Sequence, residues 1–143
     1  MMRFIPFLFL FIACTIEIKS PDRYALINSL WREKATKDQV IKKLGASFEE
    51  KHNGIIYWFN WGSIESGHFF DSSGKLEVQF LFVPKEKFDG LKKIISCLWN
   101  EKSENKSIGH TVYNIESGKC ASENISYVYR PSMLLYEFRW ESN

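Results

Sequence analysis

The stretch KLEVQFLFVP, residues 75–84, constrains the fold more than any other part of the chain. Leu76, Val78, Phe80 and Phe82 alternate with Lys75, Glu77, Gln79 and Leu81. A period of two is the spacing of a strand, and a partly polar second side means one face is dry and the other wet. That is the pattern of an antiparallel sheet covered on one face. Pro84 ends the run, because it lacks the N–H that a ladder needs. Upstream, HFF (68–70) reads as a short strand before a turn at Ser72-Ser73-Gly74, and IIYWFNW (55–61), after the turn signal Asn53-Gly54, reads as another. Two more strands are expected at Ile125–Tyr129 and Met133–Trp140, flanking Arg130-Pro131-Ser132, and a weak one near Thr111–Ile115. EKSENKSIG (101–109) and SGKCASEN (117–124) read as polar loops.

Helical spacing appears before each group of strands. Tyr24, Ile27, Leu30 and Trp31 make one apolar stripe on a helix opened by Asp22. In ATKDQVIKKLGAS, Thr36 is a suitable N-cap and Gln39, three residues later, completes a capping box. Val40, Ile41 and Leu44 give that short helix its apolar side, and Gly45 is its stop. Phe88, Leu91, Ile95 and Leu98 predict a third helix, capped by Asp89 and running to about Lys102. The expected fold class is α+β, with a short helix pair on one face of an antiparallel sheet.

The chain can be laid on itself. INSLWREKA (27–35) aligns with ISCLWNEKS (95–103), and NGIIYWFN (53–60) with ENISYVYR (123–130). QFLF (79–82) aligns less closely with EFRW (137–140), at an offset that implies a hairpin missing from the second half. Read as a repeat, this gives a first helix-helix-sheet module at 22–83 and a second, degenerate helix-sheet module at 84–143; chance matching between amphipathic helices and aromatic strands is the other reading. The short helix Thr36–Val40–Leu44–Gly45, the aromatic strand Tyr57-Trp58-Phe59 and the opening Gly74-Lys75-Leu76 together resemble the module shared by small envelope lipoproteins of the SmpA/OmlA (BamE) type and by the β-lactamase inhibitor protein. The resemblance covers residues 24–83. It departs from the family pattern at Ala35, where Gly is usual, and at Ala46, where Pro is common. It implies a non-catalytic protein-binding domain, in tandem as in the inhibitor protein.

The N-terminus bears on the compartment. Met1-Met2-Arg3 and then the apolar run Phe4–Ala13 have the order of a secretory signal. The run is too short for a hydrocarbon core that needs roughly 20 helical residues. FIAC (11–14) resembles the lipobox of bacterial lipoproteins, with Phe11 where Leu is usual. It predicts a signal peptide at 1–13, diacylglycerol on Cys14 and a tether at 14–21. Thr15 after the lipidated residue implies the outer membrane, facing the periplasm. A cleaved, secreted form is the alternative. With Cys14 acylated, Cys97 and Cys120 remain as an even pair in an oxidising compartment, where a disulfide is expected. Two unrelated thiols are the other reading.

The formal charge is +2, and +1 once Arg3 is removed. No basic stripe marks the chain, so nucleic acid is not an expected partner. His52, His68 and His110 have no metal-ligand spacing. Neither a phosphate-binding Gly loop nor a nucleophile elbow is present. No enzyme activity, metal or cofactor is therefore expected.

The composition is rich in aromatics, with 12 Phe, 6 Tyr and 5 Trp, more than a small core consumes. Strand alternation divides them. Ile55, Tyr57, Phe59 and Trp61, with Leu76, Val78, Phe80 and Phe82 and with Leu134, Tyr136, Phe138 and Trp140, are expected to point at the helices. The open face is then expected to carry Ile56, Leu81, Val128 and Leu135, and, as partner-binding residues, Trp58, Asn60, Glu77, Gln79, Arg130, Glu137 and Arg139. A large aromatic inside a polar rim is the composition of a protein interface. The leading expectation is a lipid-anchored envelope protein that binds another protein through this face. The runner-up is a secreted small-ligand binder or enzyme with a pocket between the two modules.

Overall fold

A computed structural model describes residues 20–59 and 62–142, with side chains from residue 23 onward. Cys14 and the leader before it, Asn60 and Trp61 lie outside the described residues.

The chain folds as α+β, with three helices against one face of an eight-stranded antiparallel sheet. Helix α1 (Ser20–Arg32) takes in the end of the expected tether, and α2 is Lys37–Leu44. Then come β1 (Glu49–Lys51), β2 (Gly54–Trp58), β3 (Ile64–Phe70) and β4 (Leu76–Pro84). Helix α3 (Lys85–Ile95) leads into β5 (Trp99–Ile108), β6 (Thr111–Cys120), β7 (Ile125–Arg130) and β8 (Leu135–Glu141). The strand order is β1-β2-β3-β4-β8-β7-β6-β5. Each half of the chain is thus a meander of four neighbouring strands, and their last strands, β4 and β8, meet in the middle.

The α2 termini fall where the sequence predicts, although Gly45 does not take the left-handed helical conformation expected of such a stop. The Thr36 hydroxyl accepts from the Gln39 N–H, and the Gln39 side chain accepts from the Thr36 N–H. Gly45 stops the helix at φ +100°, ψ 178°, a conformation open essentially to glycine alone. Helix α3 differs from expectation. It starts at Lys85, directly after β4, and stops at Ile95 because Ser96 turns into the left-handed region. Trp99–Lys102, expected to be helical, instead open β5.

The second half also departs from expectation in its strands. The polar segment 101–109 contributes most of β5, and Ser117–Cys120 extend β6. No hairpin is missing, because the second half has four strands of its own. The sequence alignment set β2 on β7, whereas by position in the meander β2 corresponds to β6.

Two apolar clusters join helices to sheet. Leu30, Ala35, Val40, Ile55, Tyr57, Phe70 and Leu76 form one within the first half. The larger one combines Tyr24 and Ile27 of α1 and Leu81 and Val83 of β4 with Phe88, Leu91 and Ile95 of α3 and with Tyr127, Tyr136, Phe138 and Trp140. The main core therefore belongs to both halves.

Candidate functional site

The alternation of β4 has the opposite sense to that expected. Its register sets His68 against Gln79, Ser66 against Leu81, and Phe138 against Leu81 on the other side. Gln79, Leu81 and Val83 therefore face the helices, and Val78, Phe80 and Phe82 face away. A bulge at Glu77 returns Leu76 to the inner side. Two physical reasons favour this arrangement over the hydrophobic count. The buried Gln79 amide finds partners, and the outward rings find glycines.

Gln79 Nε2 donates to the Ile27 carbonyl of α1 at 3.0 Å, and its Oε1 lies 3.1 Å from His68 Nδ1. His68 Nε2 lies 2.9 Å from the Ser66 hydroxyl. All three side chains are fully buried. With Nδ1 protonated, the imidazole donates to Gln79 and accepts from Ser66, so each polar group is satisfied. Burial holds the His68 pKa down at about 4, against a smaller upward effect of its bond to Gln79. The order Ser–His–amide resembles an activated serine, but Ser66 has no exposed surface on which to meet a substrate. Gln79, expected on the binding face, is instead part of the core.

On the outer face the Phe80 ring lies over Gly67, its direct cross-strand partner, so closely that a Cβ there would stand 2.3 Å from the ring. Phe69 covers its partner Gly54 in the same way. Phe69 stacks on Phe80, centroids 5.8 Å apart, and Phe80 meets Phe82 edge-on. Ile64, Phe69, Val78 and Phe80 are half-buried there. Trp58 stands at one end of this strip, opposite Ile64, and is 39 % exposed.

Charges of both signs border the strip. Arg139 is exposed opposite Phe80, and it pairs with Glu141, which lies opposite Val78. Glu137, opposite Phe82, is largely buried and takes the exposed Arg130 at 2.7 Å. On the other side Glu49 and Lys51 pair at 2.8 Å. The Lys51 ammonium, and to a lesser extent the Trp58 indole, hold the Glu49 carboxyl below its usual range. Glu77 is exposed at its bulge. The face thus keeps Trp58, Arg130, Glu137 and Arg139 of the expected set. It loses Gln79 and Leu81 to the core and gains Phe69, Val78 and Phe80. Leu134, expected to point inward, is exposed in the turn before β8.

Cys97 and Cys120 are joined as a disulfide, with Cα atoms 5.4 Å apart. Glu123 lies within metal-ligand reach of both sulfurs. A metal would require thiolates, which the bonded pair does not provide. Between the halves, Trp31, Arg32 and Leu76 face Ser122, Glu123 and Glu141 across an open groove. The ion pair of Arg32 with Glu123 spans it.

No helix among the described residues is long and apolar enough to cross a membrane. No protein-family profile, curated protein or solved structure matches the chain.

Proposed function

We propose that this chain is a lipid-anchored, non-catalytic envelope protein that binds another protein through the open face of its sheet. The observation that carries the reading is Trp58, 39 % exposed at the end of a half-buried Phe strip on the face opposite all three helices. A Trp has few rotatable bonds for its area, so ordering it on contact costs little entropy. Apolar surface ringed by Arg and Glu is the make-up of an interface centre with its rim. The module resemblance at Thr36, Val40, Leu44 and Gly45 points to an outer-membrane assembly component or an envelope enzyme as partner. FIAC supports diacylglycerol on Cys14 as the anchor. The tandem reading is supported by the four-strand meander that follows helix in each half, with α2 an additional helix of the first half.

The test uses the full chain in the envelope of a bacterium with an outer membrane. A photo-crosslinking residue at Arg139 is expected to give one adduct of defined mass, and the same probe at Leu134 none. Trp58→Ala should lower the adduct yield about tenfold or more, the loss typical of a central interface Trp, while the thermal midpoint stays nearly constant. Absence of an adduct at 139, or the same adducts at both positions, would remove the binding face. The anchor is tested separately by fatty-acid labelling. Label in the parent chain but not in Cys14→Ser is expected, and label in both, or in neither, would overturn it.

A further inference from the structure

The β5–β6 hairpin takes no part in the face described above. β6 pairs with β5 along all of Trp99–Ile108, but with β7 only over Ser117–Lys119. Residues 103–116 therefore extend past the sheet as a two-stranded arm. An isolated two-stranded ribbon is marginal in water. Strand β5 is exposed at every position from Asn100 to Ile108, contains no Pro and runs without a bulge. Among the described residues no strand pairs with its outer edge. Such an edge is a template for another strand.

The turn tells which backbone groups are free. Gly109-His110 is a two-residue loop with Gly109 at φ +63°. In such a hairpin the flanking pair, here Ile108 and Thr111, exchanges both hydrogen bonds, and the pattern alternates along the ladder. Lys106, Glu104 and Lys102 thus turn their N–H and C=O inward. Ser107, Asn105, Ser103 and Glu101 turn theirs to the outer edge.

The side chains restrict what can pair there. Lys102, Glu104 and Lys106 share one face of the arm, and inside the hairpin they sit opposite Ser117, Ile115 and Tyr113, none of them charged. Among the described residues none of the three makes an ion pair. Their alternating charges are complementary to the same strand read backwards. We propose that β5 pairs antiparallel with β5 of a second copy of this chain, about a two-fold axis at Ser103. Lys102 then faces Glu104 of the second copy, and Glu104 faces its Lys102. Glu101 faces Asn105, Asn100 faces Lys106 and Trp99 faces Ser107. The outward N–H and C=O of Ser103 meet those of its own counterpart. Centring on Lys102 or on Glu104 sets like charges opposite each other, which is destabilising. Centring on Asn105 also sets Glu104 against Lys106, but it pairs only Lys102–Ile108 and leaves Lys102 opposite the apolar Ile108.

The experiment is sedimentation of the full chain in detergent, with protein mass separated from bound detergent. The parent chain is expected to dimerise at micromolar concentration. Glu104→Lys sets Lys against Lys at two places and should raise the dimer dissociation constant about tenfold or more. Lys102→Glu combined with Glu104→Lys restores opposite charges in the same register and should restore the dimer. Both positions are exposed, so circular dichroism should not change. A parent chain that stays monomeric at high micromolar concentration would overturn the proposal. So would a dimer indifferent to Glu104→Lys, or one that the double swap fails to restore. Association through the N-terminal apolar segment would be indifferent to these charges, and Trp58→Ala should leave the dimer unchanged.

Discussion

His68 and Gln79 set what the centre of the sheet tolerates. Truncating Gln79 removes the acceptor of His68 and the donor to the Ile27 carbonyl. Gln79→Ala is therefore expected to cost about 2–4 kcal/mol, because two buried groups lose their partners. Denaturant titration measures this, and a change within 0.5 kcal/mol, roughly the scatter of surface substitutions, would show the network to be dispensable. The imidazole adds a pH dependence. Its folded pKa, about 4, is below the ordinary 6.5. Between those values the unfolded chain binds the extra proton, so stability falls as pH drops through that window. From pH 7 to pH 5 the loss attributable to His68 should be about 2 kcal/mol. Burial raises the Glu65 carboxyl, partly offset by Arg23 at 3.0 Å, and a raised acid acts in the opposite direction. Comparison with His68→Gln over the same range isolates the histidine, since that variant should lack the drop. The position of these residues was not legible in the sequence. Leu76, Val78, Phe80 and Phe82 outnumber the polar side of their strand, and hydrophobic count alone assigns them inward. Burial of Gln79 depends on an amide pairing with a histidine on β3, and outward Phe80 depends on a glycine opposite it. Both are cross-strand facts, invisible until the register is known.

Three strand pairs use one device, a ring folded over the glycine directly across from it: Phe69 on Gly54, Phe80 on Gly67 and Tyr127 on Gly118. The ring covers backbone that glycine leaves bare. Gly67→Ala should displace the Phe80 ring and cost about 1–3 kcal/mol, the range for overpacking. It should also alter the near-ultraviolet signal of the strip. If the midpoint and that signal stay the same, the ring does not need the glycine. The disulfide acts on a different element. It ties the segment after α3 to the end of β6 with a sequence separation of 23, and so closes the loop that holds the β5–β6 arm. Replacing both Cys97 and Cys120 by Ser should lower stability by about 3 kcal/mol on the chain-entropy model. A parent chain with two free thiols in the envelope would deny the bridge. Helix α2 was legible because its signals are local: the capping box at Thr36 and the stop at Gly45 need no partner. β5 was not. Asn100–Ser107 are all polar or charged, and a strand wet on both sides has no alternation to betray it. Its evidence is the paired strand β6, which lies beyond the reach of a local pattern.

At the scale of the whole molecule, two halves with similar element order do not make two independent folding units. The seam runs along β4 and β8, from Val78 opposite Glu141 to Pro84 opposite Leu135. Tyr24 and Ile27 from the first helix pack in the same cluster as Phe138 and Trp140 from the last strand. Without the second half, β4 becomes an open edge and Leu81 and Val83 lose much of their cover. Phe138, fully buried at the seam, reports on this coupling. Phe138→Ala should cost about 3–5 kcal/mol, the range for a buried aromatic. Because the cluster is shared, the loss should appear in both halves together, not in the second alone. Hydrogen exchange measures it residue by residue. Amides of β2 and β3, which Phe138 does not pair with, are expected to lose protection in step with those of β7. A single thermal transition in the parent chain, shifted as one in the variant, accords with this. If the β2 and β3 amides kept their full protection while β7 exchanged faster, the halves would be separate units, and the central pairing of β4 with β8 would be a docking of two domains.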